Sequence, residues 1–522
     1  MDKLTDLVLK PANGGKGNAV MTRTASKISD SLSDEKVGLP GIPALESDQT
    51  FYQRGMPDSL KSMSSDEIKF LEKQLVRKLD LHIMPVVIVM FLLNIIDRNG
   101  LTNAKLGTLT KDLGLDSHEY QTALMLLYVG YLLFQVPSNM LLPYTRPSLY
   151  LPGCMALWGI VSACTGATHN YGGLVACRIT LGFLEAPFLG GVVYLFSCFY
   201  KKSELVARIA ILYCGNSLSN GFGGLFAAGI LQNLNGAHGL SAWRYIFIIE
   251  GAATVGVAFM AAALLPDWPS NTRWLQGNMK DLAIYRISAE NGGAAEDEKP
   301  KKWTTGVTLA FKDPIVWLCV LMQHMLLVAQ SYTYFFPTIV KTLGYNRTNT
   351  LLLTAPPYFF AFIVSVFNAW HAGATNERFW HITIPMCCSI VGNVLVVAVL
   401  KTGPRYFGMF LQALGPYAAF SLILGWISSS IARPKHKRAV ALALSNSIAN
   451  GSHLYTSYIY PDKDKPRFLK GGIIIMAASF LCIACAFSLK FILKRRNAEY
   501  DKAENEGKEN ANPVGFGFRY VY

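Results

Sequence analysis

The sequence predicts an all-α membrane protein of twelve transmembrane helices arranged as two six-helix halves, and three observations carry that expectation. Of the 522 residues, 51% are hydrophobic and only 16% charged, with a mean hydropathy of +0.28, which argues against a soluble enzyme. Twelve apolar segments of spanning length recur along the chain. The longest interior connection, Pro266 to Asp313, is polar and charged and divides those segments six and six.

Residues 1–63 are rich in Ser, Lys, Gly and Asp, include Pro40 and Pro43, and lack periodic apolar content, so a disordered tail is expected. No cleavable signal peptide is read at its start. A short amphipathic helix is expected next, from Ser65 to Leu79. Ser64 and Glu67 have capping-box spacing, and Ile68, Leu71, Leu75 and Leu79 repeat at helical spacing, which would lay this helix along the inner membrane face. The tail region 1–80 then gives way to a first half, 81–265, with spans at about 84–107, 119–142, 148–168, 172–199, 206–231 and 243–265. A loop, 266–314, leads to a second half, 315–494, with spans at about 315–336, 350–371, 380–400, 404–431, 437–459 and 469–493. Residues 495–522 form a second tail.

Twelve spans put both termini on one side, and Lys/Arg counts assign that side to the cytoplasm. Arg146, Lys201, Lys202, Arg208, Arg433, Lys435, Lys437 and Arg438 lie in short loops on the side of the basic N-terminal tail. The 461–470 loop, with Lys463, Lys465, Arg467 and Lys470, is the exception, partly offset by Asp462 and Asp464. The net charge of +14 follows from this asymmetry and does not imply nucleic-acid binding. Most of the ten cysteines lie within spans, and the Cys482-x-x-Cys485 pair in the last span has no other ligand nearby in sequence, so it reads as small-residue packing. No metal, cofactor or nucleophilic-catalysis constellation stands out.

Charged residues inside spans are costly, seldom face lipid and by default mark a solute or ion path. Glu185 follows Arg178 by seven residues in span four, so both lie on one helix face about 10 Å apart along the axis. The first span holds Asp97-Arg98. Pro85 to Ile96 gives only about 18 Å of helix, too short for a core of about 30 Å, so the helix must carry both charges into the membrane. Arg178 is expected at comparable depth, with Glu185 deeper toward the cytoplasm. An arginine can hold a carboxylate, and a glutamate in a partly dry site can carry a proton. Arg98 and Arg178 are therefore candidate substrate ligands, and Asp97 and Glu185 candidate proton carriers. Asp97 and Arg98 also fit a structural ion pair that locks helices, and Glu185 also fits a permanent partner of Arg178.

Weaker polar signals complete the candidate site. Asn216 and Asn220 sit one turn apart in span five among Gly215, Gly221, Gly223 and Gly224, and Asn446 and Asn450 repeat that spacing in span eleven. These amides can bond a substrate or a neighbouring helix, and the glycines can serve close helix packing. Tyr332 and Tyr334 in span seven, with Tyr128 and Gln135 in span two, are further candidates to line a cavity. Pro187, Pro337, Pro356 and Pro357 are expected to kink or end helices.

Three stretches resemble the anion:cation symporter family of the major facilitator superfamily. Asp97-Arg98-Asn99 with Asn103-Ala104 resembles that family's DR-x-N-x-x-x-A stretch. Tyr131-Leu132-Leu133-Phe134-Gln135-Val136-Pro137-Ser138-Asn139 resembles its second span, and Arg178 through Ala186 its R-x-x-x-G-x-x-E-A fourth span. The similarity runs from about Leu79 to Lys494 and is nearest to the fungal allantoate/nicotinate/pantothenate permease branch. Gly100-Leu101 and Pro187 depart from that pattern, and Leu142-Pro143-Tyr144-Thr145-Arg146 lacks the acidic-basic inner-gate signature of major-facilitator proteins.

The resemblance implies the major-facilitator fold, carboxylate binding by Arg98 and Arg178, and proton coupling by Asp97 and Glu185. The expected function is proton-coupled import of a small organic anion across the plasma membrane by alternating access. Its partners would be the anion, protons and the lipid bilayer, with no nucleic acid and a monomeric state. An efflux antiporter of organic anions or drugs and a non-transporting nutrient sensor are the alternatives.

Overall fold

The computed structural model describes residues 56–292, 304–431, 435–506 and 519–522. Twelve long helical segments follow one another. The first six are α1 (Ser65–Ala104), α2 (Ser117–Leu141), α3 (Pro147–Thr165), α4 (Tyr171–Phe199), α5 (Lys202–Asn233) and α6 (Ala242–Leu264). The second six are α7 (Pro314–Lys341), α8 (Arg347–Thr375), α9 (Phe379–Ala398), α10 (Thr402–Ser430), α11 (Lys435–Gly451) and α12 (Leu469–Asn505). No strand occurs among the described residues. Nine of the twelve are apolar and long enough to cross a membrane by composition alone. Of the other three, α2, α5 and α11, the last has a helix of only 17 residues, and α5 and α11 carry Asn216, Asn220, Asn446 and Asn450 to the cavity between the halves. A span that lines a polar cavity surrenders hydropathy on that face.

The amphipathic stretch Ser65–Leu79 is not a separate helix. It runs on unbroken into the first span, so α1 has 40 residues, about 60 Å and twice the hydrocarbon thickness. The capping box forms, with the Ser64 amide donating to Glu67 Oε2 at 2.7 Å and the Glu67 amide to Ser64 Oγ at 3.3 Å. Those bonds, the Ser64 backbone N–H foremost, hold the exposed Glu67 carboxyl below its usual range. No glycine separates Leu79 from Pro85, so nothing stops propagation between the two stretches. Leu75 and Leu79 are fully buried in one apolar cluster with Leu275, Leu282 and Ala283 of the central connection. The stripe is covered by protein.

That connection is only partly loop. Asn278–Gly292 and Thr304–Lys312 are helical, while 293–303 lie outside the described residues. Arg286, nearly fully buried, donates to the Phe199 carbonyl at 2.5 Å and pairs with Glu204 at 3.1 Å and Glu72 at 3.5 Å. Ser59 donates to Asp281 at 2.6 Å and Lys78 to the Trp274 carbonyl at 2.9 Å. A connection that is polar on average still has a stripe to bury. Similarly α12 continues past the expected end of span twelve to Asn505, and the chain end folds back. Trp426 Nε1 donates to the Val521 carbonyl at 3.0 Å, and Asn497 exchanges two 2.9 Å bonds with the Tyr520 backbone. The expected disorder of the N-terminal tail, up to residue 55, falls outside the described residues.

Glycine sets the helix crossings. A Cβ on Gly182 of α4 would stand 2.0 Å from the Leu127 carbonyl oxygen of α2, and one on Gly130 would stand 2.4 Å from the Ile179 oxygen. Gly159 of α3 faces Gly251 of α6, and Gly392 of α9 faces Gly408 of α10. In lipid, close backbone approach of this kind replaces the hydrophobic drive that packs soluble helices. Of Gly215, Gly221, Gly223 and Gly224 in span five, Gly224 makes a tight crossing, its Cβ position falling against Thr354 Oγ1 of α8. Gly182→Ala is expected to cost about 1–3 kcal/mol, since α2 and α4 must separate. Thermal unfolding of the detergent-solubilised protein checks this, and an unchanged midpoint would contradict it.

Prolines act at some helix breaks only. Pro187 lies inside an uninterrupted α4. α7 instead tightens into a 3-10 turn at Ser331–Phe335, with Pro337 in the first turn of the piece that follows. α8 breaks at Leu353–Thr354, with Pro356 and Pro357 opening its second piece. Pro at the start of a helix loses nothing, because that N–H has no intrahelical acceptor.

Candidate functional site

Between the halves lies a polar cavity of about 100 Å³. α1 supplies Asn94, Arg98 and Asn99; α2, Tyr128 and Tyr131; α5, Tyr213, Asn216 and Asn220. The opposite wall comes from Gln330, Thr333 and Tyr334 of α7, Tyr417 of α10, Asn446 and Asn450 of α11, and His453 just beyond it.

Arg98 is the one arginine or lysine lining this space among the described residues. Its Nε lies 2.5 Å from Glu185 Oε2, and its guanidinium carbon stands 4.6 Å over the Tyr131 ring. Glu185 is fully buried and its second oxygen has no hydrogen-bond partner. The partner of Glu185 is therefore Arg98. Seven residues do bring Arg178 and Glu185 to one face, but the 10 Å of helix between them lets α1 claim the glutamate.

Asp97 points elsewhere. Consecutive helical residues diverge by about 100°, so when Arg98 faces the cavity Asp97 turns into the first half. There Trp158 Nε1 at 3.1 Å, Ser162 Oγ at 3.2 Å and Thr254 Oγ1 at 3.0 Å all donate to it. It is 1% exposed and is not the partner of its neighbour.

Arg178 is placed away from the cavity as well. It is 1% exposed, lies 5.6 Å over the Phe247 ring of α6, and has no hydrogen-bond partner at Nε or Nη2. The expectation of two arginines in one cavity is not what the chain builds. Tyr332 is likewise buried, edge-on to Phe336 at 5.7 Å, with an unpartnered hydroxyl. The 3-10 turn at Ser331–Phe335 changes the angular step, and Tyr334 takes the cavity position instead. Its hydroxyl bonds that of Tyr128 and lies 3.2 Å from His453 Nδ1, tying the halves together. Gln135 is not among the lining residues.

The four asparagines do reach the cavity. Asn220 Nδ2 lies 2.8 Å from the Asn216 carbonyl and 3.1 Å from its side-chain oxygen, and Asn450 repeats both distances with Asn446. The two halves present the same device to each other. Asn220 also accepts from Asn99 at 2.7 Å and donates to the Tyr417 hydroxyl at 3.1 Å.

Beyond the cavity, toward the end where α1 finishes and α2 begins, more bonds join the halves. Thr122 meets the Tyr458 hydroxyl at 2.9 Å, and Gln121 donates to the Tyr460 carbonyl at 3.4 Å. The crossing of Gly224 with Thr354 lies on the same side.

Several site residues escaped the sequence reading. His453 and Glu250 were legible by the signal that found Glu185, an ionisable residue inside an apolar span. Asn94, Asn99, Gln330 and Tyr417 were not, because a lone amide or phenol in a span is as often a helix-to-helix bond as a ligand. No group of His, Cys, Asp and Glu that could hold a metal ion occurs among the described residues.

Residues 87–456 match the family model described as Major Facilitator Superfamily. Among similar proteins, the MFS-type transporter efuF of Hormonema carpetanum is 31% identical over 80% of this chain and 83% of its own length. The major facilitator-type transporter hxnP of Emericella nidulans is 28% identical over 83% and 88%. Among solved structures, an inward-facing, occupied bacterial homologue of the human lysosomal transporter Spinster superposes with a TM-score of 0.59 at 14% identity, covering 79% of this chain and 96% of that one. A D-xylose-proton symporter gives 0.57 at 16% identity, covering 78% and 97%. At these identities the structures share the fold.

Proposed function

The chain belongs to the Major Facilitator Superfamily, and on that premise we propose that this secondary transporter carries a small organic monoanion together with protons. The superfamily supplies the coarser statement: a multi-pass membrane protein that moves small molecules and is not an enzyme. The narrower reading rests on one observation. The lining holds a single guanidinium, Arg98, already paired to a buried carboxylate, and faces it with neutral amides and phenols.

A substrate carboxylate fits the place that Glu185 holds on Arg98, because a guanidinium binds carboxylates through parallel N–H donors. Displacing Glu185 leaves a buried carboxylate without its cation, a costly arrangement that a proton relieves. Anion and proton thus enter together, and linkage makes the help mutual. The facing wall of Asn446, Asn450, Gln330 and Tyr334 suits a neutral remainder with hydrogen-bonding or ring character. A second carboxylate on the substrate would meet no second arginine or lysine. Arg178, Asp97 and Tyr332 act behind this surface, and Asn216 and Asn220 at it.

The Lys/Arg distribution supports an orientation with both termini in the cytoplasm, and we read the protein as a plasma-membrane transporter. On that orientation the Thr122–Tyr458 and Gln121–Tyr460 contacts close the outer side, as in one half of an alternating-access cycle. Uptake of labelled nicotinate, pantothenate, biotin and allantoate by cells expressing the protein tests the proposal. At least one acid is expected to accumulate, faster at low external pH, while its neutral amide is not carried. Equal transport of acid and amide would overturn it.

A further inference from the structure

The first half buries a charge imbalance that the cavity pair does not resolve. Between the helix ends lie three carboxylates, Asp97, Glu185 and Glu250, and two guanidiniums, Arg98 and Arg178, all essentially inaccessible apart from the 13% exposed Arg98 side chain. Three against two leaves one uncompensated negative charge inside a membrane-spanning bundle. Such a charge is costly to hold away from water, and a proton removes it.

Hydrogen bonding identifies where that proton belongs. Asp97 accepts from Trp158, Ser162 and Thr254, which satisfies it as a carboxylate. Glu185 accepts from the Arg98 guanidinium. Glu250 of α6 is 1% exposed and neither of its oxygens has a hydrogen-bond partner. A carboxylate with no donor at either oxygen is the costliest of the three to bury. Its Oε2 packs against the backbone of α1, where a Cβ on Gly100 would stand 2.7 Å away. The charges that act on it are those of Asp97 and Arg178. α3 has no acidic or basic side chain along its length, and α5 has none beyond Arg208.

We propose that Glu250 is a proton-binding site, occupied in this conformation and outside the lining of the transport cavity. The proton makes the buried set of five charges neutral. Its loss would leave a carboxylate on α6 with Arg178, whose Nε and Nη2 are open, as the group able to receive it. Glu250 is in this sense a second ionisable unit of the first half, separate from the Arg98–Glu185 pair that meets the substrate. The assignment does not depend on what the cavity carries.

Infrared spectroscopy of the purified full-length protein in detergent, without substrate, reads the proton directly. Wild type near neutral pH is expected to show one protonated-carboxyl C=O stretch that shifts in heavy water. Glu250→Gln is expected to lose that band, and in wild type the band is expected to move to lower frequency when glutamate, and not aspartate, carries 13C at its carboxyl. Absence of the band from wild type overturns the proposal without any variant. A band that follows the aspartate label, or its persistence in a monodisperse Glu250→Gln protein, does the same. Failure of all four acids in the uptake panel would leave this result standing, so the two readings fail separately.

Discussion

Arg98→Lys is expected to lose most substrate affinity while reaching the membrane at normal levels. Lysine keeps the charge but not the fork, so it cannot hold a carboxylate through two parallel N–H donors. It also gives up the flat guanidinium that lies over Tyr131. Hydrogen bonds to charged groups contribute about 1.5–3 kcal/mol, so Kd is expected to rise on the order of 10- to 100-fold. The measurement is direct binding of a transported acid to purified protein. Arg178→Lys is the informative comparison, because Arg178 does not line the cavity and its replacement is expected to weaken binding less. Wild-type affinity in a well-expressed Arg98→Lys protein would remove Arg98 from the substrate site. Equal losses in both variants would restore a two-arginine site.

Glu185→Gln is expected to uncouple the transporter. The glutamine imitates the protonated acid and releases Arg98 from its 2.5 Å partner, so the variant is expected to bind the anion and exchange it across the membrane. It can neither take up nor release a proton, so gradient-driven accumulation is expected to be abolished. Uptake into vesicles with and without an inward proton gradient, alongside counterflow, separates the two activities. Accumulation by Glu185→Gln that still follows the gradient would move coupling to another carboxylate, with Glu250 and Asp97 the remaining buried acids of that half.

Class and spans were legible in the sequence because a bilayer imposes length and apolarity on every crossing segment. The matched asparagine pairs were legible for a similar reason: one-turn spacing on one face recurs in α5 and α11, and the bonds within each pair are local. Asp97, Arg98, Arg178 and Glu185 stood out as charges inside spans. Their partners did not, since partnership depends on how α1 rotates against α3, α4 and α6. Along α4 alone, Arg178 and Glu185 share a face; in three dimensions Arg98 takes the glutamate and Phe247 covers the arginine.

By itself the sequence determined the membrane class, the division into halves and the residue types that suit anion and proton chemistry. These are properties of composition and of helical period, which act within a few residues. Only the tertiary structure decided which arginine faces the cavity, that α7 tightens so that Tyr334 and not Tyr332 meets the cavity, and that Glu250 completes a buried set of five charges. Those outcomes are set by helix rotation and depth. Glycine crossings such as Gly182 on Leu127 and Gly100 on Glu250 fix both, and they do so across distances in the chain that no local pattern spans.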